Sequence, residues 1–290
     1  MIVFCGYANR DIVIQLDELP GVGERRHARF IRQHDGGMAA NAAVAAARFG
    51  ATPTFAGVVG SDAESSDFLA GLRREGVSTD WTRTDAYLTH AVILLDVSGE
   101  RAVISQDDAL TVEDLRQVLN RLDRTQQHWV YVDGYRWDSL WVPTNAPAAL
   151  VVDVDGCTEA DQVIRAARAA QHLIGSSRIF SEACGFTIEA LDQLAATEGT
   201  TIVVTRGAQG LTVLEPGHQA RQIPVRSVSV TDDTGAGDCF AGVYLAELAR
   251  GATAVDAATT GAAAATLSCR HPGARAAPTR RELTDFLELY

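Results

Sequence analysis

The chain has 290 residues, 47% of them hydrophobic, a net charge of -12 at pH 7 and a mean hydropathy of +0.00. That length buries a sizeable core, and the acidic balance excludes a broad nucleic-acid footprint or contact with an anionic membrane. All 25 Lys/Arg positions are arginine, which excludes Walker A and protein-kinase phosphate sites, pyridoxal-phosphate enzymes and Schiff-base aldolases, because each needs a lysine.

Ile2–Phe4 opens the chain as a short apolar strand. It lacks the basic lead and long apolar run of a signal peptide. No stretch is apolar enough to span a bilayer; Ala254–Leu267 is interrupted by Asp256, Thr259 and Thr260. Cys5, Cys157, Cys184, Cys239 and Cys269 are scattered without a CxxC pair, which fits reduced thiols in a cytoplasmic protein.

Further strands are expected at Thr54–Val58, Trp129–Val132, Ala149–Val152, Thr201–Val204 and Leu211–Leu214. Helices are expected at Ala39–Phe49, Ser65–Glu75, Val112–Leu122, Glu159–Ala170, Ile188–Thr197, Cys239–Ala249 and Ala254–Ser268. Val/Ile-rich strands alternating with amphipathic helices predict an α/β fold with a mostly parallel sheet covered on both faces. Two segments break the rhythm. Residues 11–35 and 88–109 carry extended runs and turn signals, the second reading as a hairpin, and together they predict a small β-sheet over the main domain.

Two glycine-rich strings carry the chemistry. Val230-Thr-Asp-Asp-Thr-Gly-Ala-Gly-Asp238 approaches as a strand and then opens a helix. Small residues let successive backbone N–H groups converge, and the helix dipole adds positive potential, so the turn gathers negative charge without lysine. Asp238, in the first helical turn, can face the same point and take a proton from an attacking hydroxyl. The residue type alone also fits a dipole-favoured first-turn aspartate. Earlier, Gly36-Gly37-Met38-Ala39-Ala40-Asn41 opens an alanine helix that ends at Gly50, placing the glycine amides and Asn41 where they can bind polyol hydroxyls. A glycine turn before a tightly packed helix is the alternative.

Together the strings Gly-Gly-x-x-x-Asn-x-Ala-x-x-x-Ala-x-x-Gly and Asp-x-Thr-Gly-Ala-Gly-Asp-x-Phe resemble both signatures of the ribokinase-like (PfkB) carbohydrate kinases. Gly6-x-x-Asn9-x-Asp11, Val59-Gly60-x-Asp62 and Thr205-Arg-Gly207-Ala-Gln-Gly210 are similar to three more family motifs, in the family's order. The resemblance implies a doubly wound α/β domain (1–10, 36–87 and 110–290) with a β-sheet lid (11–35 and 88–109). It implies that Asp238 deprotonates the acceptor and that the amides of Gly235, Ala236 and Gly237 form the anion hole. By the same resemblance Asp11, Gly36, Gly37 and Asn41 hold the sugar, Thr205, Gly207 and Gly210 lie along ATP, and Mg²⁺ arrives with the nucleotide. A homodimer through the lid is implied as well.

Departures narrow the reading. Met38 stands where ribokinase-type members often have lysine, which points away from ribose. Asp233 replaces a usual Thr or Ser, leaving the metal placement and a monovalent-cation (K⁺) site open. The family's Asn-x-x-Glu motif is broken, and Glu182 is the nearest candidate for its acidic role, through water. The stretches Asp133-Gly-Tyr-Arg136-Trp, Asp153-Val-Asp-Gly, Phe180-Ser-Glu182 and Cys269-Arg-His-Pro-Gly273 resemble the ketohexokinase and sulfofructose-kinase side of the family. On that side Arg136, and Arg101 in the hairpin, are candidates to bind an anionic substituent; pairing with Asp138 and an exposed surface position are their plainer roles. The rivals are a nucleoside kinase of the same fold and a catalytically weak sugar- or nucleotide-binding regulator. A Rossmann dehydrogenase is excluded because no GxGxxG follows the first strand.

Overall fold

The computed structural model describes residues 1–97, 101–134 and 147–288, with the backbone alone at Arg101. Eight strands form the central sheet: β1 (Ile2–Cys5), β4 (Pro53–Ala56), β7 (Trp129–Val132), β8 (Ala149–Asp153), β9 (His172–Ser176), β10 (Thr201–Thr205), β11 (Leu211–Leu214) and β12 (Arg221–Ile223). Their order is β12-β11-β10-β9-β8-β7-β1-β4. Pairing is parallel from β4 through β10, and β11 and β12 close one edge antiparallel. β1, β7 and β11 are buried at every position and the other inner strands at all but their ends, which explains their mostly apolar character.

Helices cover both faces and split the core into two clusters. On one face pack α1 (Met38–Arg48), α2 (Ala63–Arg74), α6 (Ala236–Ala249), α7 (Ala254–Ser268) and α8 (Arg280–Glu288). On the other lie α3 (Val112–Arg121), α4 (Ala160–Ala169) and α5 (Ile188–Glu198). The alanine runs have a packing reason. A side chain at Gly242 of α6 would collide with the Ala42 carbonyl of α1, so the two site-bearing helices meet nearly backbone to backbone. Among the described residues no helix is long and apolar enough to cross a membrane.

A second, four-stranded sheet has the order β3-β2-β5-β6, from β2 (Asn9–Gln15), β3 (Phe30–Gly36), β5 (Thr89–Leu95) and β6 (Arg101–Ser105). β5 and β6 form the expected antiparallel hairpin, while β2 joins β5 in parallel. Register and alternation place Ile12, Ile14, Ile31, Val92, Leu94 and Ile104 on one face of this sheet. Ile31 and Ile104 are 63% and 66% exposed there. Salt bridges tie the sheet to α2: Arg10 pairs with Glu64 and Asp67, and His90 meets Glu64.

Candidate active site

α6 is not approached by the strand expected at Val230: after β12 ends at Ile223, residues 224–235 run without strand structure and then turn sharply into the helix. Gly235 sits at φ 75°, ψ 8°, the left-handed region that favours glycine, and a Cβ there would collide with the Ala274 carbonyl. The turn is pinned from both sides. The amides of Thr231 and Asp232 donate to the Cys269 carbonyl at 2.8 and 3.2 Å. The Asp232 carboxylate accepts from the amides of Thr234 (3.0 Å) and Gly273 (2.8 Å). The loop after α7 is thereby folded back onto the start of α6.

Of the three amides expected to face an anion, that of Ala236 donates to the Asp233 carbonyl at 3.1 Å and closes the turn. Among the described residues the N–H groups of Gly235 and Gly237 meet no protein acceptor. Gly237 lies beside open space, with no atom within 4 Å of a Cβ built on it. These are the orphan donors of a helix start, and they coincide with the positive end of the helix dipole.

Asp238 follows in the first turn. Its Oδ2 accepts a hydrogen bond from Asn41 Nδ2 at 2.9 Å, so the two glycine-rich strings, 197 residues apart, meet at one carboxylate. Burial pushes the Asp238 carboxyl up from 3.8 to about 6; the Asn41 hydrogen bond opposes this, the charges of Asp155 and Asp11 add to it, and Arg275 opposes it. A carboxylate poised near 6 is ionised at neutral pH yet basic enough to accept a proton usefully.

Asn41 is buried (5% exposed) on α1. Gly37, before that helix, has φ 97°, and a side chain there would collide with the Tyr7 backbone. Gly36 has no room for a side chain because the Asp11 and Asn9 side chains fill the space. Asp11 accepts from Asn9 Nδ2 at 2.6 Å, and burial raises its pKa. The structure thus brings Asp11, Gly36, Gly37 and Asn41 together at the seam between the two sheets.

On the other side of Gly237 a cavity of about 370 Å³ opens. Asp233, Ala236, Gly237, Thr205, Gly207 and Gly210 line it, with apolar surface from Val225, Ala262 and others. Gly207 starts the short 3₁₀ turn Gly207–Gln209, and Gly210 (φ 84°) leaves no space for a side chain against the Ile223 carbonyl. A mostly apolar slot that includes the free amide of Gly237 suits a flat ring with a phosphate tail.

Glu182 lies exposed in the π-helical turn Arg178–Ala183 and does not line this cavity. Arg136 and the Arg101 side chain fall outside the described residues. Sequence reasoning missed two charged groups. Asp155, after β8, accepts from both the amide and the hydroxyl of Ser176 at 2.9 Å and adds negative charge near Asp238. Arg275, in the loop after α7, donates to Asn41. Its signal was slight: an arginine in a Pro-Gly loop of a lysine-free chain.

Known proteins share this fold. A ribokinase of Bacillus subtilis is 26% identical over 298 residues, covering 97% of this chain and 97% of that protein. The structure of a ribokinase from Thermotoga maritima superposes with a TM-score of 0.81 at 21% identity, covering 99% of each chain. That of a nucleoside kinase from Methanocaldococcus jannaschii, described as an archaeal member of the ribokinase family, gives 0.82 at 17% identity, covering 100% of this chain and 98% of that one. The family model described as "pfkB family carbohydrate kinase" matches residues 1–280. The chain therefore belongs to the pfkB family of carbohydrate kinases.

Proposed function

We propose that the protein transfers the γ-phosphoryl group of ATP to a hydroxyl, most simply a primary one, of a sugar in the ketose or acidic-sugar class. The observation that carries this reading is the meeting at one point of a hydrogen-bonded carboxylate near pKa 6 and the unbonded amides of Gly235 and Gly237. In this mechanism Asp11, Asn41 and the turn at Gly36 and Gly37 hold the sugar with its hydroxyl against Asp238. The nucleotide occupies the 370 Å³ cavity along Thr205, Gly207 and Gly210. As the hydroxyl oxygen bonds to the γ-phosphorus and the bond to ADP breaks, the proton passes to Asp238. The amides and the helix dipole take up the charge on the transferring group, Ala236 contributing by closing the turn that aims its neighbours.

Among the described residues no three His, Cys, Asp or Glu side chains cluster as a metal cage. Mg²⁺ would arrive with the nucleotide. When bound, the ion supplies charge neutralisation on the β- and γ-phosphates. Glu182, exposed, is the candidate to reach it through water, and a K⁺ site beside Asp233 is left open by that residue's extra charge. The small sheet acts as a lid, and its apolar face, with Ile31 and Ile104 exposed, supports pairing of two copies. The ketose or acidic class rests on Met38 in place of lysine and on Arg136 and Arg101 as anion ligands.

An ADP-release screen across ketoses, pentoses, acidic and sulfonated sugars, and nucleosides tests the reading. Turnover is expected with a ketose or acidic sugar. Turnover only with nucleosides would replace the sugar assignment, and silence on every class would favour a binding protein.

A further inference from the structure

Arg275 is unused by the mechanism above, yet it contacts Asn41, the residue that hydrogen-bonds the base. Its Nε donates to Asn41 Oδ1 at 3.1 Å, and its Nη1 donates to Asp35 Oδ2 at 3.0 Å. The guanidinium lies over the Phe68 ring of α2, 5.0 Å from its centroid, while Nη2 is buried and makes no hydrogen bond among the described residues. Asp35, on β3 of the small sheet, also pairs with Arg10 at 3.1 Å. One side chain therefore links the small sheet, α1 and α2 from the loop that closes on the start of α6.

The chemistry of an amide makes the contact to Asn41 informative. A carboxamide has one accepting end and one donating end. Arginine can only donate, so whichever end of Asn41 faces Arg275 must be its oxygen, and the NH₂ is then turned towards Asp238. A donor facing Asp238 favours the ionised carboxylate, the form that accepts a proton. Without the guanidinium the amide can turn over and offer its oxygen to a protonated Asp238, which favours the inactive form.

Building on the base assignment above, we infer that Arg275 is a positioning residue for catalysis, fixing the sense of the Asn41 amide and so holding Asp238 ionised and oriented. The groups around Asp238 support this. Asp155 after β8 and Asp11 on β2 bring negative charge, Asp153 on β8 and Tyr131 on β7 are buried acids beside it, and Arg275 is the cation acting on it. Arg275 lowers the pKa of both Asp238 and Asp11. The residue also has a reason to be held by the small sheet: movement of Asp35 would be felt at the base through three hydrogen bonds.

The test measures kcat and KM against pH, with the sugar found active in the screen, for wild type, Arg275→Met and Arg275→Lys. Arg275→Met is expected to lose on the order of 10²-fold in kcat, a misplacement effect, and to move the acid limb of kcat/KM up by about one pH unit, with KM for ATP unchanged. Arg275→Lys is expected to recover part of kcat and most of the limb, because the charge returns without the fork. Asp35 keeps Arg10 as a partner, so loss of the guanidinium leaves no orphaned carboxylate there. Should Arg275→Met fail to fold, Arg275→Gln, whose amide can donate or accept and so no longer fixes the sense of Asn41, carries the same expectation for the limb. A lowered melting temperature with an unmoved pH profile in the folded variants would overturn the inference while leaving the role of Asp238 intact. A fully active Asp238→Asn enzyme would instead remove the reading on which it rests.

Discussion

Asp238→Asn should lower kcat by at least ~10³-fold, because proton acceptance and the placement of the hydroxyl fail together. Affinity for ATP should change little, since the nucleotide cavity is lined by Gly237 and Ala236 and not by the Asp238 side chain. The same variant carries a second signature. The native carboxyl, raised to about 6 from an ordinary 3.8, binds its proton more readily than the unfolded chain does. Its favourable contribution is complete below about pH 4 and is lost as pH rises through 6, so at pH 7 the charged group weighs against folding. Asparagine keeps an acceptor for Asn41 and carries no charge. The variant should therefore melt above wild type at pH 7, with the gap closing towards pH 4. Loss of turnover with this gain in stability separates a catalytic role from a structural one; near-wild-type turnover would reject the role.

Gly235→Ala should have the second-largest effect. A left-handed backbone costs a non-glycine residue about 1–2 kcal/mol, and the added methyl would collide with the Ala274 carbonyl, which is main chain and cannot swing away. Relief requires the 272–275 loop to retreat, taking Arg275 from Asn41 and re-aiming the free amides. Loss of one aligned oxyanion donor is worth about 10²–10³-fold in kcat. A drop of that size is expected by steady-state assay, together with a lowered melting temperature. Gly237→Ala is the matched control for stability: nothing lies within 4 Å of the new methyl, so its melting temperature should hold. Equal melting temperatures for the two variants, with full activity in Gly235→Ala, would show that the turn is not under the constraint described.

What could be seen in the sequence followed the strength of local signals. Six strands of the central sheet carry short apolar runs that fit a buried strand, and the helices around Asn41 and Asp238 are marked by glycine turns. β9 (His172–Ser176) escaped because its pattern begins with His and ends in Gly-Ser, and β12 because three residues at a sheet edge need little hydrophobicity. α8 (Arg280–Glu288) is a surface helix with only Leu283 and Phe286 buried. At the site, Asp238, Asn41 and the glycines were legible because backbone conformation constrains residue type. Arg275 was not, because its position depends on a loop 234 residues further along the chain returning to Asn41. The Ala236 amide illustrates a related limit of local pattern: the glycine-rich string marks a turn, but which N–H closes it is set by the hydrogen bond to Asp233.

The central claim is that a carboxylate held near pKa 6 takes the acceptor's proton beside two free helix-start amides. The most direct measurement is the pH dependence of kcat/KM for the sugar in wild type and Asp238→Asn, between pH 5 and 9. The account predicts that wild-type kcat/KM falls on the acid side with a midpoint near 6 and that the residual rate of the variant lacks this limb. A limb that persists unchanged in Asp238→Asn would place the ionising group elsewhere and contradict the mechanism.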